Sequence, residues 1–364
     1  MVGGGTPDTT VPSLWNGNIQ WFTPTEVGHQ KYVSKSARTI TQLGLQKSSA
    51  KKLPAGSILL SSRATIGECS IAQRECTTNQ GFQNLIPKND TNNEFLYYLA
   101  QTKKHHFIKY ASGSTFLEIS NSEIRKTKCT VPGTEEQTQI AAFLSALDDR
   151  ISVQNKIIED LKILKKELCN DHFKSVLHDA SLRYITLKEI LTERKEYCSK
   201  DGTYTHGTLS KEGVAPKTER YDRDFLVKNE DKQYKVTHLN DICYNPANLK
   251  FGVICRNTYG DLIFSPIYVT FEISDNVYPA YIELFLTNPN FIGRIRRYEQ
   301  GTVYERMAVS PEDFLSYETH IPAYEEQVEF ANEMQRIQRK IELETAFLSS
   351  LQNQRRFFLN AMFI

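Results

Sequence analysis

The chain repeats itself. Residues 119–173 lie over residues 309–363 without a gap, and ten positions are then identical. They include Ser120/Ser310, Pro132/Pro322, the Glu-Glu-Gln runs at 135–137 and 325–327, Ile151/Ile341, Leu161/Leu351 and Phe173/Phe363. A spacing of about 190 residues is far too long for a solenoid and implies two similar modules. Each reads as a globular stretch closed by a proline and followed by a long amphipathic helix, the two related by an approximate two-fold axis. A chain with that symmetry suits a partner with the same symmetry, of which duplex DNA is the commonest. The expected division is a module over 1–133, a helix over 134–180, a second module over 181–323 and a second helix over 324–364.

Within the modules the pattern is α+β. In the first, Ser57–Ser62, Ile66–Ile71 and Gly81–Ile86 read as short strands, Glu94–Tyr110 as a helix with Phe95, Leu96, Leu99 and Phe107 on its apolar face, and Gly113-Ser114-Thr115 as a loop. The second repeats the order. Ile242–Tyr244, Gly252–Cys255 and Tyr268–Ile273 are strands, Pro279–Arg297 a helix and Gly301-Thr302 a loop. One helix per group of strands argues against a doubly wound sheet.

The two terminal helices carry a heptad seam: Leu144, Leu147, Ile151, Ile158, Leu161 and Leu168 in one, Met334, Ile337, Ile341, Leu348, Leu351 and Phe358 in the other. At 1.5 Å per residue each spans roughly 60 Å, and the pseudo-symmetry favours antiparallel pairing. Gln154 and Lys165 interrupt the first seam, Glu344 and Arg355 the second. A single register sets Gln154 against Arg355 and Lys165 against Glu344. It also sets Leu147 on Met362, Ile151 on Phe358, Ile158 on Leu351, Leu161 on Leu348 and Leu168 on Ile341. Polar layers of this kind fix register, so these four residues are expected to set the distance between the modules.

Catalytic motifs are missing from the sequence. There is no G-x-x-x-x-G-K-[ST], G-x-G-x-x-G or G-x-S-x-G. Asn245-Pro246-Ala247-Asn248 lacks the second proline and the aromatic of an adenine methyltransferase motif and reads as a turn. Seven scattered cysteines without a C-x-x-C pair read as reduced structural thiols, and eight histidines without H-x-x-x-H spacing give no zinc signature. No apolar run approaches the ~20 residues of a membrane span, and residues 1–7 lack the regions of a signal peptide, so the expected compartment is the cytoplasm. A net charge of +1 argues against a wholly electrostatic nucleic-acid binder but leaves room for local basic patches.

Such patches recur at equivalent places. Lys103, Lys104 and Lys109, with His105 and His106, precede the loop at Gly113 and Ser114. Arg294, Arg296 and Arg297 precede the loop at Gly301. Lysine and arginine there suit phosphate contacts. Arg63, Asn79 and Gln80 are residue types that read guanine and adenine in the major groove, with Lys250, Tyr304 and Arg306 as the second module's counterparts. Trp21, ahead of Thr23-Pro24, reads as core or turn in preference to a base-stacking group.

Taken together, Gly4-Gly5-Thr6-Pro7, Trp15–Pro24, Ser61-Ser-Arg-Ala-Thr-Ile-Gly67, Thr78-Asn-Gln-Gly-Phe82, Gly113-Ser-Thr-Phe116 with Ile119-Ser120, Pro132 with Glu136-Gln137, Leu147-Asp148 with Ile151, Tyr244-Asn245 and Pro322 with Glu326-Gln327 resemble the specificity subunit of type I restriction-modification enzymes. The resemblance covers nearly the whole chain. It implies two pseudo-symmetric target-recognition domains joined by two long antiparallel coiled-coil helices. Each domain would read half of a split double-stranded DNA target. The helices would act as a ruler for the unread spacer and dock two modification (methyltransferase) subunits, with restriction/translocase subunits added for cutting. The subunit itself would catalyse nothing and hold no cofactor; S-adenosylmethionine, ATP and Mg would sit on the partners. Against the family's usual opening strand, which Tyr184–Leu191 supplies in the second module, the first module starts almost at Gly3. It is expected to be shorter by roughly one strand, as in a truncated or rearranged gene product. The competing reading is a scaffold of two β-rich modules on a coiled-coil spacer with no role at DNA.

Overall fold

The structure is a computed structural model and describes residues 1–113, 117–199, 202–211, 213–217, 233–300 and 307–363. The helices that position the site are α1 (Asn93–Thr102), α2 (Lys104–Lys109), α3 (Thr134–His178), α4 (Pro279–Leu286), α5 (Pro289–Ile295) and α6 (Tyr324–Ala361). The chain divides into two compact units. The first comprises Met1–Lys156 with Ala346–Ile364, the second Ile157–Thr345. Each unit therefore holds its module and a stretch of both long helices.

In the first unit Trp15–Phe22 lies between Arg38–Ile40, antiparallel, and Cys76–Thr78, parallel. A second sheet orders Tyr32–Val33, Cys69–Ala72 and Ile58–Leu60. Ile58–Leu60, Cys69–Ala72 and Cys76–Thr78 are short and buried throughout, which suits continuous runs of apolar or small residues that show no polar face. The expected single helix over 94–110 is two helices, broken at Lys103. Asn92 caps α1, its Oδ1 accepting from Glu94 N–H and Phe95 N–H. Phe95, Leu99 and Ala141 then pack with Phe363, and Leu144 joins Ile58, Leu60, Tyr98 and Ile119 with Phe358 and Met362 against them. The end of α6 thus completes the first module's core.

In the second unit a four-stranded sheet orders Leu191–Glu193, Val269–Ile273, Ile242–Tyr244 and Ile254–Arg256, all antiparallel. A five-stranded sheet orders Tyr197–Cys198, Tyr234–Thr237, Leu262–Phe264, Thr205–Ser210 and Gly213–Pro216. The expected helix over 279–297 is again two, α4 and α5, followed by a 3-10 turn at Arg296–Tyr298. Pro289 lacks the N–H that would continue α4 and sits where a new helix starts, capped by Asn288. Asn245, singled out above as a turn, is the cap of the 3-10 turn Pro246–Phe251. Two ionic groups inside this unit are closely paired. Lys235, 2 % exposed, lies 3.0 Å from Glu193 Oε1 and 5.0 Å from the Tyr197 ring centroid. His238 bridges Asp261 (Nδ1, 2.8 Å) and Glu196 (Nε2, 3.0 Å), tying together three loops.

The duplication is visible bond by bond. Ser120 Oγ accepts from Glu123 N–H and Ser310 Oγ from Asp313 N–H, so the same serine caps the same short helix, Asn121–Lys126 and Pro311–Leu315. Gln137 and Gln327, each 2 % exposed, do the same work at the start of α3 and α6. Gln137 Nε2 donates to Pro132 O (2.9 Å) while its Oε1 accepts from Asn92 N–H (2.9 Å). Gln327 Nε2 donates to Pro322 O (2.9 Å) while its Oε1 accepts from Tyr278 N–H (2.9 Å).

Within each unit the long helices run antiparallel, but the expected register needs correction. In the first unit Arg355 pairs with Asp148 and with Gln101 Oε1, not with Gln154, and Phe358 packs on Phe143 at 4.9 Å instead of on Ile151. In the second, Lys165 Nζ donates to Gln338 Oε1 at 2.8 Å, and Glu344 is ion-paired with Lys340 of its own helix. Both polar contacts fall six residues before the expected partner. In the first unit the cause is the module: Tyr98 of α1 donates to Asp148 Oδ2 (2.8 Å), which fixes where the carboxylate waits for Arg355. A sequence comparison of the two helices alone does not contain that contact.

Two outcomes follow from these contacts. Gln327→Leu leaves Tyr278 N–H and Pro322 C=O unpaired in a buried site, so urea unfolding should show a loss of about 1–3 kcal/mol per orphaned group, whereas Glu326→Ala, exposed one residue earlier, should stay within about 0.5 kcal/mol. For His238, burial disfavours the charged ring, yet the hydrogen bonds to Asp261 and Glu196 outweigh it against opposition from Arg194, and its pKa is raised. Its contribution to stability is therefore present below the ordinary histidine value near 6.5 and lost as pH rises through the raised value. Melting temperature measured across that range should fall more for the native chain than for His238→Gln.

Candidate nucleic-acid interface

Three loops of the first unit are bonded side by side. Ser62 N–H donates to Gly81 O (2.8 Å), Ile119 N–H donates to Ser62 O (3.1 Å), and Ser112 and Glu118 exchange two 2.9 Å backbone bonds that close the loop beginning at Gly113. Arg63, Asn79, Gln80 and Gly113 are thereby brought to one place. Asn79 Oδ1 accepts from Gly81 N–H (2.9 Å), a turn that leaves Gln80 exposed at its tip, where Thr6 Oγ1 donates to it. Gly113 has φ +138°, a conformation that side-chain-bearing residues rarely adopt. Ser114 lies outside the described residues.

The basic helix end joins this cluster in part. Lys104 is ion-paired with Glu68, and its side chain lies over Gly67, in the loop that follows Arg63. Lys103 is half-buried at the break between α1 and α2, and Lys109 is exposed with Nζ 5.7 Å from the Tyr110 ring centroid. In the second unit the equivalent cations are spread over two surfaces. Arg294 and Arg297 line a groove of about 540 Å³ with Tyr184, Tyr298, Tyr317 and His320. Arg296 lies 3.5 Å from Glu299. Lys250 stands on the turn Pro246–Phe251, which packs on α5 and whose Pro246 O accepts from Val309 N–H (3.3 Å). A two-bond bridge between Gln300 and Ala308 closes the second loop as Ser112 and Glu118 close the first. Gly301, Tyr304 and Arg306 lie outside the described residues.

Several neighbours do not belong to the interface. Trp21 is 4 % exposed, its Nε1 donating to Gly5 O (2.8 Å), and it packs edge-on against Trp15. Cys69, Cys76, Cys129, Cys169, Cys243 and Cys255 are free thiols. Burial pushes the Cys69, Cys76 and Cys255 thiols up to about 12, far from thiolate chemistry at neutral pH. His172, stacked on Phe330 at 3.7 Å, is pushed down to about 4 by burial and stays a neutral core group. Among the described residues no group of three or more histidine, cysteine or acidic side chains is arranged to hold a metal, and no helix is long and apolar enough to cross a membrane.

Reading the sequence missed three members of the cluster: Thr6, Ala64 and Glu118. The signal for Thr6 was the Gly4-Gly5 pair before it. A Cβ on Gly4 would lie 1.8 Å from Asn79 O and 2.5 Å from Thr78 O, and one on Gly5 2.3 Å from Ala50 N. The glycines let the N-terminal segment press against the Asn79 turn. Ala64 and Glu118 carry no sequence pattern, because their roles depend on a backbone angle and on a partner fifty-five residues away.

Residues 2–163 match the model of the type I restriction modification DNA specificity domain. The MjaIX specificity subunit of Methanocaldococcus jannaschii is 39 % identical over 177 residues, 48 % of this chain and 41 % of that protein. The EcoR124I/EcoR124II specificity subunit of Escherichia coli is 28 % identical over 166 residues, 44 % of this chain and 40 % of that one. The aligned stretch thus spans less than half the length of either relative. Among solved structures, a chain from a study of complex assembly in the type I R-M system matches with TM-score 0.63 at 14 % identity, covering all of this chain and 94 % of the other. The HsdS subunit from Thermoanaerobacter tengcongensis matches with TM-score 0.54, also at 14 %, over all of this chain and 94 % of its own. At such identity the likeness speaks for the fold. The first module with the start of α3 thus matches a DNA specificity domain by class. The chain is similar, over that part, to the specificity subunits of type I restriction enzymes, and shares its fold with solved subunits of that kind.

The close approach at Gly4 makes an expected outcome. Gly4→Ala must displace the Asn79 turn or the segment carrying Thr6, and overpacking of this kind costs typically about 1–3 kcal/mol. Thermal unfolding should show that loss, while Gly3→Ala, with open space around its Cα, should leave the melting temperature within a degree or so.

Proposed function

We propose that the chain reads a bipartite double-stranded DNA target, one part with each module, and scaffolds the subunits that act on it. The observation that carries this reading is the recurrence, in two modules of different sequence, of a basic helix end beside a loop closed by a two-bond bridge: Lys103 and Lys104 before Gly113, Arg294 to Arg297 before Gly301. Phosphate contacts position a protein on the duplex, and loop side chains such as Arg63, Asn79 and Gln80 are suited to base edges. In the second module Lys250 has the same role, and Tyr304 and Arg306 are assigned it on sequence alone. In this reading the long helices set the unread spacer, with Lys165 and Arg355, through Gln338 and Asp148, as the register contacts in place of the pairs first expected.

The partners in this reading are duplex DNA, two modification subunits that bring S-adenosylmethionine, and restriction/translocase subunits that bring ATP and Mg, all in the cytoplasm. The chain contributes recognition and no chemistry of its own. The decisive experiment is to co-express it with its modification subunit and map methylated adenines across the genome. A split motif with a fixed gap supports the reading, and a chain that directs no methylation ends it. Lys103→Ala and Arg296→Ala should each weaken binding of the complex to duplex DNA across sequences, without changing the preferred motif. Each should also reduce the slope of log affinity against log salt by about 0.9 for every phosphate that the variant no longer neutralises.

A further inference from the structure

The turn that carries Arg63 is strained. Thr65 N–H reaches back to Arg63 O at 2.5 Å across Ala64, which has φ +56°. Three-residue turns with a positive φ at the centre are rare, and a side chain there is held only when the surroundings over-determine it. They do so here. Ser61 Oγ donates to the same Arg63 O (2.8 Å), and the single proton of Thr65 Oγ1 serves Pro24 O or Ser61 Oγ, each 3.2 Å away. Arg63 also forms a backbone bridge with Glu118. Its Nε is buried, 2.8 Å from Glu118 Oε2 although the N–H is not aimed along that line, while the side chain as a whole is 44 % exposed. The exposure therefore falls on the remainder of the side chain.

We propose that Arg63 reads a guanine in the part of the target addressed by the first module, through Nη1 and Nη2 to O6 and N7, and that Glu118 is the positioning residue that fixes the plane of its guanidinium. This rests on the function proposed above. The reasoning separates a base contact from a phosphate contact. A phosphate needs only a mobile cation, with no set plane or angle. The edge of guanine offers two acceptors, O6 and N7, and demands a planar fork held at a set angle. A strained turn, the bonds holding it and a carboxylate at the inner nitrogen are more than a phosphate contact requires and are what a bidentate base contact requires.

The test uses the complex of the full chain with its modification subunit and compares the methylated motif for the native chain, Arg63→Gln, Arg63→Lys and Glu118→Gln. The native motif should contain a guanine in one half that loses roughly 10- to 100-fold of its preference in Arg63→Gln, the range expected for one bidentate contact. The other half should be unchanged. Arg63→Lys keeps the charge but not the fork and should relax the same position. Glu118→Gln, isosteric and far milder for folding, should relax it too while sparing overall methylation. Methylation lowered evenly at all sites by Arg63→Gln, native selectivity in Arg63→Lys, or a first half without guanine would each overturn the assignment while leaving DNA recognition intact. A native complex that marks no split motif would instead refute the underlying reading.

Discussion

One buried amide at the root of each long helix anchors the architecture. A helix of 45 or 38 residues leaves a globular module without continuing its hydrogen-bond pattern, and the first N–H groups and the preceding loop carbonyls need partners. Gln137 and Gln327 supply the carbonyl's partner from inside the module. Each joins the carbonyl of the proline that ends the module to the backbone N–H of a loop leading into the next helix. Because the side chain is short and fully buried, it fixes the angle and the rotation at which the helix departs. The apolar stripe of α3 is thereby set against Phe95, Tyr98 and Ile119, and the stripe of α6 against the core around Tyr281 and Phe285.

The contacts between the helices then follow from the modules. Asp148 with Arg355 and Gln338 with Lys165 stand at equivalent positions of the repeat, so the two copies keep the geometry and differ in chemistry. The first is an ionic pair reinforced by Tyr98 and Gln101, the second a single bond from a cation to a neutral amide. Partly exposed pairs contribute modestly unless several groups share them. The four-residue network in the first unit is of the shared kind, and the difference between the two copies is a product of divergence after duplication.

The repeat, the two long helices and the α+β pattern of the modules were all legible in the sequence, because each rests on local periodicity or on identity at a fixed spacing. The register of the helices was not. Matching polar to polar along the seams led to Gln154 and Glu344, whereas the contacts that form use Asp148 and Gln338, residues whose importance comes from α1 or from the rotation set at the helix root. The breaks at Lys103 and Pro289 were missed because apolar spacing continues across both; at the second, Asn288-Pro289 is a helix breaker legible in the sequence that the spacing masked, whereas at the first only the packing of Lys104 over Gly67 marks the interruption. In the loop cluster of the first unit, residue type singled out Arg63, Asn79 and Gln80 as candidates. It was silent on Glu118 and Ala64, since a partner distant in sequence and a positive φ leave no pattern to read.

The first module's core is finished by residues 346–363, which a ribosome delivers about 200 residues after Leu144 and about 250 after Phe95 have emerged. At typical elongation rates of about 5–20 residues per second, the nascent module waits roughly 10–50 seconds with the docking face for Phe358, Met362 and Phe363 uncovered. Folding is thus ordered in time: the second module can close on its own stretches of helix before the first is sealed. During that interval the bare apolar face of the first module is what a chaperone would meet.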